Sequence, residues 1–437
     1  MKVNLLFILA YAIFLFSCSS DNNTSQSEEN EEPNKPNILL IIADDMGLDA
    51  TPGYSIGDIK PTTPNLQNMI DNGIRFTNFW SYPVCTPTRA SILTGKYGFR
   101  TGVLKVDDDL SPSETSLHQY LTNQSTGYNS GIVGKWHLGT GASEPGNFGI
   151  SYYAGLLSGG VRSYEDWSLN ENGVNTTSTE YVTTKLTDLA INWINDQESP
   201  WFLWLAYNAP HTPFHLPPSD LHSQGDLPND EATIDANPLP YYLASIEAID
   251  AEIGRLLNSL SETERDNTII IFIGDNGSPS KVAQEYNRRR VKGSLYQGGI
   301  NVPMIISGKN VTRTNSIDES LLGTTDLFAT IANLAGVNSS SIHDSKSFSS
   351  LLTTPSTNSI REYVYSEVGN DTNDDEYTIR NASHKYILFA DGSEALYHLK
   401  NDALENTNLL NDNQLPLSTE DEAQLNLLKE AIINIKQ

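Results

Sequence analysis

The sequence predicts an α/β fold around a large mixed, mainly parallel sheet, with a smaller C-terminal α+β domain carrying an antiparallel sheet. Three observations carry this expectation. Apolar, β-rich runs alternate with helical patterns through the first three quarters of the chain, as in βαβ units. Four of these runs end directly in Asp, Asn, Lys or His. Near the C-terminus, short strand-like runs are followed by a helical pattern rather than by further alternation.

In chain order, Lys2 and the apolar stretch Leu5 to Phe16 read as an export signal over residues 1–17, too short to span a bilayer as a mature helix. The run Leu15-Phe16-Ser17-Cys18 resembles a bacterial lipoprotein signal, in which Cys18 is lipidated; a plain secretory cut is the alternative. Residues 18–36 are Ser, Asn, Glu and Asp with almost nothing apolar, and read as a flexible tether. The expected location is therefore outside the cell or in the periplasm, with the chain lipid-anchored. Residues 37–355 form the expected catalytic domain. In it, Asn37 to Ala43 reads as a buried strand. Thr63-Pro64 opens a helix that Gly73 closes as a C-cap, and Tyr241 to Leu260 is a helix by its apolar spacing. Residues 356–437 form the expected small domain. Its strands are Arg361 to Glu367, Tyr377 to Arg380, Lys385 to Phe389 and Ala395 to Leu399, with a terminal helix over Glu420 to Ile435. Tyr152 to Asn175 and His215 to Pro240 read as loops.

The bulk numbers exclude some partners. Among 437 residues the formal charge is −27, which repels nucleic acid and anionic membrane surfaces. An anionic substrate would need a locally basic or metal-bearing pocket. There are two cysteines. With Cys18 lipidated, Cys85 has no disulfide partner, and a lone Cys ordinarily reads as a small buried hydrophobe.

The four strand ends suggest otherwise. NILLIIA runs into Asp44-Asp45, Gly131 to Val133 into Gly134-Lys135-Trp136-His137, WFLWLA into Tyr207 to His211, and TIIIFI into Gly274-Asp275-Asn276-Gly277. In an open parallel sheet the carboxyl ends meet along one edge, where ligands bind. Singly, Asp44-Asp45 also reads as a cap and Asp275 to Gly277 as a tight turn. Together, Asp44, Asp45, Asp275 and Asn276 offer oxygen ligands that favour Ca²⁺ or Mg²⁺ over Zn²⁺.

Cys85-Thr86-Pro87-Thr88-Arg89 resembles the Cys-x-Pro-x-Arg signature of the type I sulfatases, members of the alkaline phosphatase superfamily, in which a maturation enzyme oxidises the Cys to formylglycine. Further segments resemble the family in its order: Thr63 to Phe76, Gly134 to Gly139, Asn208 to Pro213, Gly274 to Gly277, Lys292 to Pro303 and Tyr397 to Leu409. Gln297 departs from the pattern, where many relatives carry Glu.

The resemblance implies an alkaline-phosphatase-like sandwich and hydrolysis of a sulfate ester. It implies that Asp44, Asp45, Asp275 and Asn276 hold one Ca²⁺, together with an oxygen of the formylglycine from Cys85. Hydrated, that residue is a geminal diol; one hydroxyl attacks sulfur and the other later expels sulfate, a route closed to a Ser nucleophile. Arg89 would hydrogen-bond the diol, Lys135 and Lys292 would neutralise sulfate oxygens, His211 with Lys292 would protonate the leaving alcohol, and His137 would take the second hydroxyl's proton. A sulfated carbohydrate is the expected substrate, inferred from an exported location. Arg288, Arg289 and Arg290 read either as a solvated face or, with Lys292, as the rim that draws in a polyanion. His215 reads as a surface loop histidine. Two rivals remain: a phosphonate or phosphate ester hydrolase of the same superfamily, and an unmatured anion-binding protein.

Overall fold

Asn37–Ala43 forms a strand in which all seven residues are buried. Apolar side chains on both faces leave it no solvent side, which suits the middle of a parallel sheet. The pleat sends Ile38, Leu40 and Ile42 into one core cluster and Leu39, Ile41 and Ala43 into another. Each such buried Ile or Leu side chain contributes about 1.5–3 kcal/mol.

The computed structural model describes residues 35–198, 200–356, 359–369 and 375–437. The expected export signal, Cys18 and the tether up to residue 34 lie outside the described residues. The main sheet has ten strands: β1 (Asn37–Ala43), β2 (Gly73–Phe76), β3 (Asn129–Gly134), β4 (Tyr152–Gly155), β5 (Trp167–Glu171), β6 (Val174–Ser178), β7 (Trp201–Ala206), β8 (Thr268–Gly274), β9 (Met304–Gly308) and β10 (Ser316–Asp318). Their order is β10-β2-β9-β8-β1-β7-β3-β4-β5-β6. The run from β8 to β4 is parallel, and β9, β5 and β6 enter antiparallel to a neighbour. Ala43 pairs with Gly274, and Ile42 and Gly134 both pair with Ala206. The carboxyl ends of β8, β1, β7 and β3 therefore stop level along one edge.

Helices cover both faces. α1 (Pro64–Asp71), α2 (Cys85–Thr94), α3 (Val182–Asn195), α4 (Leu239–Ser259) and α5 (Asp326–Leu334) belong to this layer. Ile92 and Leu93 of α2 and Phe328 of α5 pack into the cluster with Ile38. Leu186 of α3 and Ile246 and Ile249 of α4 pack into the other.

Two expectations are corrected. Gly73 does not cap α1; Asn72 does, and Gly73 already opens β2, where an added Cβ would meet the Ile306 carbonyl oxygen at 2.2 Å. Much of Tyr152 to Asn175 is strand rather than loop. The polar β5–β6 hairpin sits at the sheet edge, so its exposed residues carry no apolar period.

A second, four-stranded antiparallel sheet follows: β11 (Val364–Val368), β12 (Glu376–Arg380), β13 (His384–Leu388) and β14 (Glu394–His398). The final helix, α6 (Thr419–Lys436), packs Leu428 and Ile432 against Ile379, Tyr386 and Leu396. Arg361 precedes β11 instead of joining it, because its guanidinium chelates Asp326 at 2.5–2.9 Å. The Glu405 carboxylate accepts the Gln297 N–H at 2.6 Å, tying the loop after this sheet to the segment that carries Lys292. Among the described residues no helix is long and apolar enough to cross a membrane.

Candidate active site

The level strand ends deliver Asp44, Lys135, Asn208 and Asp275 to one buried place. Gly134 lets β3 turn there: its φ is +110°, and a Cβ would stand 1.9 Å from the Ala206 carbonyl oxygen. Asp45, with φ +70°, turns back so that its N–H donates to Asp275 Oδ1 at 3.0 Å.

Cys85 is the first residue of α2. Val84 before it is extended and offers no side-chain cap, so the first backbone N–H groups of the helix point toward position 85. Pro87 costs no hydrogen bond in this first turn. Thr88 donates to the Asp275 carbonyl oxygen at 2.8 Å and accepts the Tyr82 N–H at 3.0 Å, which fixes the helix start against β8. Gly95 ends α2 at φ +67°. All ten residues of α2 are buried.

Around the Cys85 thiol, Lys135 Nζ lies 3.4 Å and His137 Nδ1 3.2 Å from Sγ. Lys135 Nζ also donates to Asp44 Oδ2 at 2.5 Å, and Lys292 Nζ to Asp45 Oδ2 at 2.6 Å. His211 Nε2 is 3.9 Å from Asp45 Oδ2. The structure thus brings together Cys85, Asp44, Asp45, Lys135, His137, His211, Asp275, Asn276 and Lys292.

Burial opposes the charged form of both lysines, yet Asp44 beside Lys135 and Asp45 beside Lys292 outweigh it and hold both above their ordinary values. Burial pushes the Cys85 thiol up, against the pull of Lys135. Burial and then Lys135 push His137 down to about 3, so its imidazole is neutral at pH 7. Asp275 is raised by burial and by Asp44.

The donor set fits a hard cation. Asp44 Oδ1 and Asn276 Oδ1 are buried and lack any hydrogen-bond partner, an arrangement that is costly unless a cation takes those oxygens. Ligand atoms of Asp44, Asp45 and His211, and of Asp44, Cys85 and Asp275, converge within 4.8 Å. Carboxylate and amide oxygens at such a point suit Ca²⁺ or Mg²⁺. The Asn276 amide nitrogen is engaged with Asp45 Oδ1 at 2.7 Å, leaving its oxygen for the ion.

Other expected roles are placed differently. Arg89 donates to Asp275 Oδ2 and to the Lys135 carbonyl oxygen, both at 2.9 Å, and not to position 85. It braces Asp275, the nearest carboxylate to its guanidinium. Arg289 is exposed. Arg290 stacks on Tyr296 at 4.4 Å and donates to the Glu405 carbonyl oxygen, so it faces the C-terminal sheet. His215 is not a free surface histidine: its ring stacks on Tyr164 at 3.7 Å and bonds Tyr181 at 2.9 Å, and burial lowers it to about 4.

Three contributors escaped the sequence reading. Asp107 Oδ1 bonds His137 Nε2 at 2.7 Å, from within an acidic run that looks like any solvated loop. Tyr164 donates to the His211 carbonyl oxygen at 2.7 Å and accepts from Asn208 at 2.9 Å. Asp49, raised by burial, accepts from Ser278 at 2.6 Å, and Ser278 bonds the Tyr242 hydroxyl that braces the Asp45 carbonyl oxygen.

Comparison with known proteins bears on the family and the fold. Residues 36–337 match the family model described as Sulfatase, and residues 288–431 match the one described as N-sulphoglucosamine sulphohydrolase, C-terminal. An uncharacterized sulfatase of Escherichia coli is 29% identical over 361 residues, covering 69% of this chain and 63% of that protein. An ulvan-active sulfatase of Formosa agariphila is 26% identical over 451 residues, 98% of this chain and 87% of that one. A structure solved with its substrate D-glucosamine-2-N,6-O-disulfate superimposes with a TM-score of 0.76 at 22% identity, covering 92% of this chain and 98% of that chain.

Proposed function

The chain belongs to the sulfatase family, within the alkaline phosphatase superfamily, and on that premise we propose that it hydrolyses a sulfate ester of a sulfated carbohydrate. The observation that carries this reading is the meeting of Cys85, Lys135, His137 and Lys292 beside the two partnerless oxygens of Asp44 and Asn276. Relatives act on such substrates by their names: one is ulvan-active, and another binds a disulfated glucosamine.

In this reading the Cys85 thiol stands where an oxidised side chain acts. A formylglycine at position 85, made by a maturation enzyme, would supply a hydrated aldehyde as nucleophile. A Ca²⁺ held by Asp44, Asp45, Asp275 and Asn276 would supply charge to sulfate oxygens.

The chain's own residues do the rest. Lys135 and Lys292 stay cationic because carboxylates face them, and they draw the sulfate oxygens toward position 85. Neutral His137, in contact with residue 85 and held by Asp107, receives a proton there. His211, beside Asp45, stands ready to donate one to the leaving alcohol. Arg89 holds Asp275 in place.

We further propose export to the periplasm or cell surface, with Cys18 as a lipid anchor. The activity test is sulfate release from sulfated oligosaccharides by protein produced together with a maturation enzyme. Conversion by the wild type and none by Cys85→Ala supports the reading. Faster turnover of matched phosphate esters would move the assignment to the phosphoryl branch of the superfamily.

A further inference from the structure

A cleft of about 520 Å³ lies between the main sheet and the C-terminal sheet, and its lining is cationic. Arg75 of β2, Arg380 at the end of β12 and Lys400 all line it, together with Asn78, Gln297 and Asn301. In a chain of formal charge −27, three cations converging on one cavity run against the overall field.

Two of the carboxylates near them are engaged elsewhere. Asp318 pairs with Arg313 at 2.7 Å, and Glu405 pairs with Lys385 at 2.6 Å. Glu319 lines the cleft but is exposed, and its backbone carbonyl accepts from Asn78 at 2.8 Å. Among the described residues no carboxylate stands within ion-pair distance of Arg75, Arg380 or Lys400.

Arg380 is only 5% exposed. Its Nη1 donates to Asn78 Oδ1 and its Nε to the Asn381 carbonyl oxygen, both at 2.9 Å, so both partners are neutral. Burial accordingly pushes the guanidinium down to about 10, with Glu405 offsetting only part of it. Arg75 lies over the Tyr54 ring at 5.4 Å, and its Nε is buried with no partner at all. Arg380 is buried with only neutral hydrogen-bond partners, and half-buried Arg75 has an unpartnered Nε, so an anion in the cleft would favour both.

We propose that this cleft is a second anion site, which takes an oxyanion of the sulfate or carboxylate class, free or carried on a sugar. A guanidinium presents parallel N–H donors to such a group, and exposed Lys400 supplies charge at the mouth. The site is separate from the residues around Cys85 and does not depend on the hydrolytic reading, since its test needs no turnover.

The test uses the full chain. Crystals soaked in selenate, a sulfate isostere with an anomalous signal, should show a peak within hydrogen-bond distance of the Arg380 guanidinium. In solution at fixed ionic strength, sulfate and a sulfated disaccharide are each titrated against thermal stability, for the wild type, Arg380→Met, Arg75→Met and Lys400→Ala. Ligand that binds the native cleft raises Tm in the wild type and less in the variants, with apparent affinity falling about tenfold for either arginine. Lys400 is exposed, so its variant keeps the test readable if Arg380→Met does not fold. A response to sulfate marks a free-anion site, and a response to the disaccharide alone marks a saccharide subsite. A selenate peak confined to the surroundings of Lys135 and Lys292, or equal stabilisation of all four proteins by both ligands, overturns the proposal.

Discussion

Lys135 shows how a single buried charge serves the site. Its ammonium lies 2.5 Å from Asp44 and 3.4 Å from position 85, and all three residues are buried. Removing it strips an electrostatic stabiliser aimed at the reacting group. Lys135→Ala should lower kcat/KM for a sulfate ester by about 10²–10³-fold; a loss below threefold in steady-state kinetics would place the lysine outside the chemistry. Asp107 belongs to the same scale. Its carboxylate fixes His137 from the far ring nitrogen, leaving Nδ1 turned to residue 85. Asp107→Asn should reduce kcat by about 10–100-fold with KM little changed, because the orienting charge is lost and substrate binding is not. If KM and kcat move together, the contact orders the loop and does not tune the imidazole. The sequence exposed Lys135 and His137 because they follow a strand within a recognisable run. Asp107 sits in Asp107-Asp108-Asp109, where nothing distinguishes the member that reaches His137.

At the scale of elements, the central strands were legible because burial on both faces leaves continuous apolar runs, and β1 and β7 match their expected bounds. The β5–β6 hairpin was not, since an edge ribbon of Ser, Asn and Thr has the composition of a loop. The segment Leu117–Asn123 holds a further feature that composition hides. His118 is fully buried on Phe202, with ring centroids 5.0 Å apart, and neither ring nitrogen has a partner. Burial pushes it down to about 3 from an ordinary 6.5. The unfolded chain accepts a proton that the native state refuses, so the histidine's contribution is intact above pH 6.5 and is lost as pH falls toward about 3. Between pH 6.5 and 5 this costs about 2 kcal/mol. Urea midpoints should therefore fall less steeply with acid in His118→Leu than in the wild type; identical pH profiles for the two proteins would refute the assignment.

For the whole molecule, the C-terminal sheet reaches the catalytic segment through a buried ion pair. Lys385 of β13 and Glu405 are 2.6 Å apart, Lys385 lies 5.1 Å over Trp80, and Glu405 receives the Gln297 N–H five residues beyond Lys292. Lys385→Met leaves a buried carboxylate unpaired and should cost about 3–5 kcal/mol in urea denaturation, most of it regained in Lys385→Met with Glu405→Gln. Equal losses in the single and double variants would mean that the pair carries no mutual dependence. Gln297 looked unimportant in the sequence, yet besides its backbone N–H to Glu405 its Oε1 accepts the buried Trp80 N–H at 3.1 Å, a partnership between residues 217 apart that no local pattern reveals. The hydrolytic reading of the site, with its lysines poised by carboxylates, presupposes that residue 85 does not act as a thiol. Mass spectrometry of the peptide spanning Ser81 to Arg89, from protein matured in a competent host, tests this most directly. The account predicts the mass of an aldehyde, CHO in place of CH₂SH, in the fraction that turns over sulfate ester; full activity with an intact cysteine at that position would contradict it.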